Sequence, residues 1–201
     1  MADRGADRSA DHLLPGELER PDPLPVRSAR VAQIIEAARQ VLEDEGPDSL
    51  TMRRLADELG IQAPSLYKHF SGKAGVELAL IEDGLADIGQ VSHRAIHQPG
   101  SGGRLNALVN AYRRYSLAHP NLYRLATSGP LSRHQFPPGL EEWAGNPWFV
   151  VTGDPSLAQA LWSFAHGMVI LELDNRYPPG SDLDQIWRTG AAAFGRSVNP
   201  D

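Results

Sequence analysis

Residues Leu50 to Lys73 read LTMRRLADELGIQAPSLYKHFSGK, and this stretch decides the fold. Thr51 stands just before an apolar set at Met52, Leu55, Ala56 and Leu59, where its hydroxyl can accept from an unpaired first-turn N–H. With Thr51 as cap, Leu50 and Leu55 hold the two positions of a hydrophobic staple. Gly60 ends this helix by taking the positive φ that the turn needs. Pro64 suits a first helical turn, so a second short helix is predicted over Ser65–Phe70, broken by Ser71-Gly72. Two short helices about a tight glycine-containing turn make a helix-turn-helix. Ala56 is small enough for their crossing, and Ile61 and Leu66 are apolar plugs for the angle. The second helix of such a pair lies in the DNA major groove and reads base edges from its N-terminal part.

Upstream, Val31, Ile34, Ile35, Ala38, Val41 and Leu42 recur at spacings of three and four, an amphipathic helix that Gly46-Pro47 stops. Downstream, a long helix is predicted from Lys73 to about Ala95, with a stripe at Leu78, Ile81, Leu85 and Ile88. Gly100-Ser101-Gly102-Gly103 reads as a flexible connector. Leu105, Leu108, Val109, Tyr112 and Tyr115 mark a further helix ending at His119-Pro120, continued briefly over 121–127. Pro130, Pro137, Pro138, Pro147 and Pro155 then predict an irregular stretch with a helical turn or two near Leu140 to Ala144. The helix from Leu157 to Asn175 is apolar around much of its girth, which requires burial on two sides. Leu183, Ile186, Trp187, Gly190 and Phe194 give a last amphipathic helix. No strand alternation or internal repeat is present. The fold class is all-α, with about nine helices. A three-helix helix-turn-helix domain over 27–75 is followed by a larger helical domain over 76–198. Residues 1–26 are polar, acidic and proline-rich and are expected to form a disordered, solvated arm.

The 201 residues are 41% hydrophobic and 22% charged, ordinary globular values in a chain long enough for a real core. The absence of cysteine excludes a disulfide scaffold, thiolate zinc, iron–sulfur clusters and a Cys nucleophile, and suits a reducing compartment. A net charge of −6 excludes a polycationic nucleic-acid coat. With no signal-like N-terminus or apolar run of membrane-spanning length, a soluble cytoplasmic protein without membrane contact is expected. The span 27–75 holds seven basic and seven acidic residues. Within 51–73, Arg53, Arg54, Lys68 and Lys73 outnumber Asp57 and Glu58, so modest phosphate contact with strong salt dependence is expected. HExxH, GxSxG, Walker A and GxGxxG are all absent, and an enzyme is not expected. His93 and His97 stand four apart, a metal-binding spacing. They read instead as a solvated last turn where His suits the helix dipole, so no metal and no cofactor is expected.

The string LTMRRLADELG followed by SLYKHF and Lys73, behind an amphipathic helix, resembles the tetracycline-repressor (TetR) family of bacterial transcriptional regulators over roughly 30–80. The resemblance implies that Thr51 and Arg53 touch phosphate or the groove edge. It puts Gln62, Ala63, Pro64, Ser65 and Lys68 at or near bases, and gives Tyr67 and His69 to phosphates. Lys73 would anchor the backbone at the start of the fourth helix. The residue types suit these roles: hydroxyls, Lys and helix N-termini are common phosphate donors, and Gln pairs bidentately with adenine. Leu66 and Phe70 read as core, and Arg54 as a solvated charge.

In the second half, ALWSFAHGMVILEL resembles the Trp…His-Gly signature of the WHG-type C-terminal domain through Trp162, His166 and Gly167. Trp162 and His166 share a helix face, and Gly167 is expected to admit a neighbouring helix closely. Such a domain is implied to bind a small-molecule inducer and to dimerise. Pockets need apolar and aromatic walls with a few polar groups. The candidates are Tyr112, Tyr115, Tyr123, Trp143, Trp148, Phe149, Trp162 and His166, although an aromatic at helical spacing is usually core. The last two helices would form a four-helix homodimer interface through Phe164, Met168, Leu171, Ile186, Trp187 and Phe194. The implied function is a regulator, commonly a repressor, that binds a palindromic operator in double-stranded DNA as a homodimer. An inducer would release it by moving the fourth helix and hence the spacing of the recognition helices. The rival reading is a helical ligand-binding module without sequence-specific DNA binding.

Overall fold

Ser28 caps the first helix, α1 (Ala29–Glu45), its hydroxyl accepting from the Val31 N–H. The computed structural model describes residues 13–21, 27–130 and 133–198, and among these are nine α-helices and no strand. α1 buries Ile34, Ile35, Ala38, Val41 and Leu42. It packs with α2 (Met52–Glu58) and α3 (Ala63–Leu66) around a core shared with Val76, Ala79 and Leu80 of α4 (Lys73–His97). One further member of this core, Leu122, comes from α6 (Pro120–Thr127). α3 starts before the predicted Ser65 and leaves regular helix at Leu66. Its end continues as a hydrogen-bonded turn, with Phe70 N–H donating to Leu66 O at 3.0 Å.

α4 departs from its predicted stripe. Leu78, Ile81, Leu85 and Ile88 are half-buried, while Ala79, Gly84, Ala86, Gly89, Ser92 and His93 are buried. The reason is close approach by neighbours. α4 packs against α1, α6, α5 (Gly103–Ala118) and α7 (Leu140–Thr152). A Cβ on Gly84 would stand 3.4 Å from Leu122 Cγ, and one on Gly89 would overlap the Trp143 ring. Small residues therefore mark where other helices touch this backbone.

α7 spans thirteen residues where only a turn or two was predicted. Pro147 lies inside it, and proline in a helix interior leaves the carbonyl four residues earlier without its N–H. That carbonyl belongs to Trp143, and His93 Nε2–H donates to it at 3.0 Å. The interruption is thus repaired from α4. His93 also stacks on the Trp143 ring at 4.8 Å, and it is buried rather than part of a solvated last turn.

The arm expected to be disordered over 1–26 lies partly outside the described residues, but residues 13–21 are packed against the helices. Glu17 has a side chain only 2% exposed, 2.5 Å from His93 Nδ1 and 2.9 Å from His97 Nε2. Leu18 N–H donates to Asn146 Oδ1 at 2.9 Å, and Asn146 Nδ2 donates to Gly16 O at 3.0 Å. Leu14 packs on the core of the second half. Polar composition misled here because the segment's charges have buried partners far along the chain.

α8 (Pro155–Leu173) and α9 (Leu183–Val198) complete the fold. Among the described residues nothing lies within 4 Å of where a Cβ on Gly167 would stand; the close approach is at Gly190, against the Phe164 ring. Of the residues expected at a dimer face, Met168 and Trp187 are buried in this chain's own core, Leu171 is exposed, and Phe164, Ile186 and Phe194 are half-buried. No described helix is long and apolar enough to cross a membrane.

Burial works against ionisation of Glu17, but hydrogen bonds from the Leu14 N–H, His93 and His97 outweigh it and hold its carboxyl below the ordinary value. Its stabilisation is present above the ordinary carboxylate range and is lost as pH falls through the lowered value. Replacing Glu17 by Gln should cost about 1–3 kcal/mol near neutral pH, the loss of charge-assisted bonds to a buried group. In thermal melts the gap between wild type and Glu17→Gln should narrow on acidification.

Candidate nucleic-acid interface and interior cavity

The Thr51 hydroxyl accepts from the Arg54 N–H at 3.1 Å, and Leu50 and Leu55 are both buried beneath it. Gly60 turns the chain with φ +63. Gln62 precedes α3 in extended conformation and spends no side-chain hydrogen bond on the cap. Leu66 is fully buried and Phe70 packs partly buried on the same core. These anchors turn the other predicted contact residues outward. Thr51, Arg53, Gln62, Pro64, Tyr67, Lys68 and His69 are exposed, while Ala63, Ser65 and Lys73 are half-buried. Tyr67 is 56% exposed, a placement that a core aromatic does not have.

The cations differ. Among the described residues Arg53 and Lys68 make no ion pair. Arg54 is clamped by Glu45 at 2.5 Å and Glu58 at 2.8 Å, so it is a paired charge at the surface. Lys73 Nζ donates to Pro47 O at 3.0 Å and lies 3.5 Å from Glu77 Oε1. It ties the loop after α1 to the start of α4.

Sequence reasoning missed Glu43. The N-terminus of α6 has no capping side chain of its own. The Glu43 carboxylate supplies the acceptors, taking the Asn121 N–H at 3.1 Å and the Leu122 N–H at 2.9 Å. Asn121 Nδ2 answers by donating to Leu42 O at 3.0 Å and Glu43 O at 3.1 Å. A carboxylate there also meets the positive end of the helix dipole. The partners lie 78 and 79 residues apart, beyond any local sequence signal.

On the other side of α6, a cavity of about 670 Å³ opens among α4, α5, α6, α7 and α8. Tyr112, Tyr115, Tyr123, Trp148, Trp162 and His166 line it. Leu85 and Ile88 are among its walls, which explains their half-burial. Two expected wall residues lie elsewhere: Trp143 is stacked on His93, and Phe149 sits at the surface against Gly16. Trp143 is drawn away because Gly89 gives its ring a seat on α4.

The cavity's polar groups form a chain. The Tyr112 and Tyr123 hydroxyls are 2.8 Å apart, and the Tyr123 hydroxyl is 2.6 Å from His166 Nδ1. The Trp162 ring stacks on His166 at 5.7 Å. Burial pushes Tyr112 up to about 12, raises Tyr123 and Tyr115, and lowers His166. Burial thus favours the neutral form of every member of this chain. Glu172, the nearest acid in sequence to His166, is occupied by Arg113 at 2.7 Å and the Trp187 indole N–H at 3.0 Å.

An outward-facing helix-turn-helix joined through a capped helix to a helical domain with an interior cavity is the arrangement of a helix-turn-helix transcriptional regulator. Residues 34–80 match the profile of the bacterial regulatory proteins of the tetR family, and residues 105–194 match the tetracyclin repressor-like C-terminal domain. An uncharacterized HTH-type transcriptional regulator of Mycobacterium tuberculosis is 31% identical over 149 residues, covering 70% of this chain and 68% of that protein. The chain belongs to the TetR family of DNA-binding transcriptional regulators. Solved structures share the fold. A protein with unknown function from Rhodococcus aligns with TM-score 0.70 and 23% identity over 89% of this chain and 98% of that one. BioQ with its double-stranded DNA operator aligns with TM-score 0.53 and 19% identity over 85% of this chain and 98% of that one.

Replacing Tyr123 by Phe strands the buried Tyr112 hydroxyl and should cost about 1–3 kcal/mol, whereas Tyr112→Phe removes both needs at once and should cost less. A double-mutant cycle on chemical denaturation should give a non-additive result, the double variant being more stable than the sum of the singles implies.

Proposed function

We propose that the protein is a repressor that grips a palindromic operator as a homodimer and lets go when a small molecule fills the interior cavity. The observation that carries this reading is the position of α6. Glu43 and Leu122 join it to the DNA-binding half, and Leu122 and Tyr123 are also cavity walls. A ligand that displaces α6 acts on α1 directly, so α6 joins α4 as a route from cavity to recognition helix. Affinity then falls by as much as the ligand prefers the displaced arrangement.

Residues 27–75 form the DNA-binding domain in this reading, and residues 76–198 the ligand-binding and dimerisation domain. Gln62, Ala63, Pro64, Ser65 and Lys68 meet bases. Thr51, Arg53, Tyr67 and His69 meet phosphates, and Lys73 holds the backbone while bracing α4. The exposure of Tyr67, Arg53 and Lys68, the last two without an ion pair among the described residues, supports these roles. The dimer forms through α8 and α9, where Leu171 is exposed and Phe164, Ile186 and Phe194 are half-exposed. Two recognition helices must then reach half-sites about 34 Å apart, one turn of DNA.

In-vitro selection of randomised duplex DNA on the purified protein tests the reading. A palindrome should be enriched by wild type, and Tyr67→Ala should weaken its binding by about tenfold or more, the scale of a lost phosphate or groove hydrogen bond. Arg53→Ala should lower the salt slope of binding by about one. Failure of a folded dimer to enrich any sequence at low salt favours a ligand-binding module without DNA readout. Glu43→Gln should leave operator binding within about threefold while reducing ligand-induced release, since it weakens a link whose coupling is worth about 1–3 kcal/mol.

A further inference from the structure

The cavity's hydrogen-bond chain has a direction, set at its buried end. Among the described residues the Tyr112 hydroxyl has one acceptor, the Tyr123 oxygen at 2.8 Å, and Tyr112 is only 4% exposed; the neighbouring Trp162 indole N–H can only donate to it. A buried hydroxyl proton without an acceptor is costly, so Tyr112 O–H donates to Tyr123. The Tyr123 oxygen is then an acceptor toward Tyr112, and its own proton goes to His166 Nδ1, 2.6 Å away. The reverse order, starting from a protonated Nδ1, would leave the Tyr112 proton with nothing to meet. In the neutral ring one nitrogen donates and the other accepts, so the His166 proton sits on Nε2. That nitrogen has no partner among the described residues, and the ring is half-exposed in the cavity wall beneath Trp162.

The remaining lining fixes the ligand's other traits. Among the described lining residues the permanently charged side chains are Arg133 and Glu141, and they pair with each other at 2.8 Å, Arg133 being 71% exposed at the rim. The interior therefore has no unpaired charge to meet a charged ligand, and burying one there would be expensive. Trp148, Trp162, Tyr112 and Tyr115 supply flat apolar faces suited to rings.

We propose that this cavity takes an uncharged, ring-bearing ligand, mostly apolar, that offers a carbonyl or ether oxygen to the Nε2–H of His166. The proposal deepens the effector-site reading above and rests on it. Tyr123 and Tyr112 act as positioning residues that fix the tautomer; His166 makes the contact.

Four probes with one frame test it: 9-fluorenone, fluorene, fluorene-9-carboxylate and 9-(aminomethyl)fluorene, each titrated against tryptophan fluorescence of the full chain. Fluorenone should bind about tenfold tighter than fluorene, the scale of one hydrogen bond to an otherwise unpaired donor. Both charged probes should bind more weakly than fluorenone. His166→Phe, checked for folding by circular dichroism, should bring fluorenone and fluorene within about twofold of each other, the loss of that same bond. Two-bond 1H–15N correlation spectra of the unliganded protein should show His166 protonated at Nε2. Protonation at Nδ1, tighter binding of a charged probe, or no binding of fluorenone overturns the proposal. Fluorenone binding as described with unchanged operator affinity would leave the ligand class standing and overturn the effector reading instead.

Discussion

Two hydrogen bonds from the α6 backbone to the Glu43 carboxylate hold the two halves of this molecule in register. An eight-residue helix is too short to persist in isolation and depends on tertiary packing. α6 is assembled from both halves: its N-terminal amides are satisfied by α1, Leu122 completes the core under the recognition motif, and Tyr123 belongs to the cavity's polar chain. Arg27 to Glu82 and Asp83, and Arg39 to Asp87, add ties between the start of the DNA-binding half and the shaft of α4. α4 and α6 are therefore fixed to α1 by charge-assisted bonds, the strong class of protein hydrogen bond.

The half that carries the helix-turn-helix has no excess positive charge, but its charges are sorted. Glu45 and Glu58 are consumed by Arg54, and Glu77 lies beside Lys73. Among the described residues Arg53 and Lys68 make no ion pair, and both are exposed, as Tyr67 is. A charge count over the span averages these two populations and conceals the difference. Binding that rests on few cations leaves little non-specific attraction to hold a protein on random sequence.

Local signals were legible in the sequence. The cap at Thr51, the staple of Leu50 with Leu55 and the turn at Gly60 each act within a few residues, and all three are present. The outward placement of the motif residues followed from Leu66 and Phe70 facing in. What resisted reading was set by partners far away. Pro147 breaks one backbone bond of α7, and no local signal marks His93 as the donor to the stranded carbonyl. The half-burial of Leu85 and Ile88 reflects a cavity that exists only once five helices have met. Aromatic residues announce apolar volume but not location, so Trp143 and Phe149 were indistinguishable in sequence from Trp148 and Trp162.

The seat of Pro15 to Pro21 has a practical corollary for anyone preparing the protein. A chain shortened to begin at Arg27, the natural cut for a segment that looks unstructured, would strip the carboxylate from between His93 and His97. It would also uncover the Asn146 amide and the apolar surface under Leu14. Trimming for crystallisation or for a fusion partner would thus produce a different C-terminal domain, with α4 and α7 less firmly joined behind the cavity.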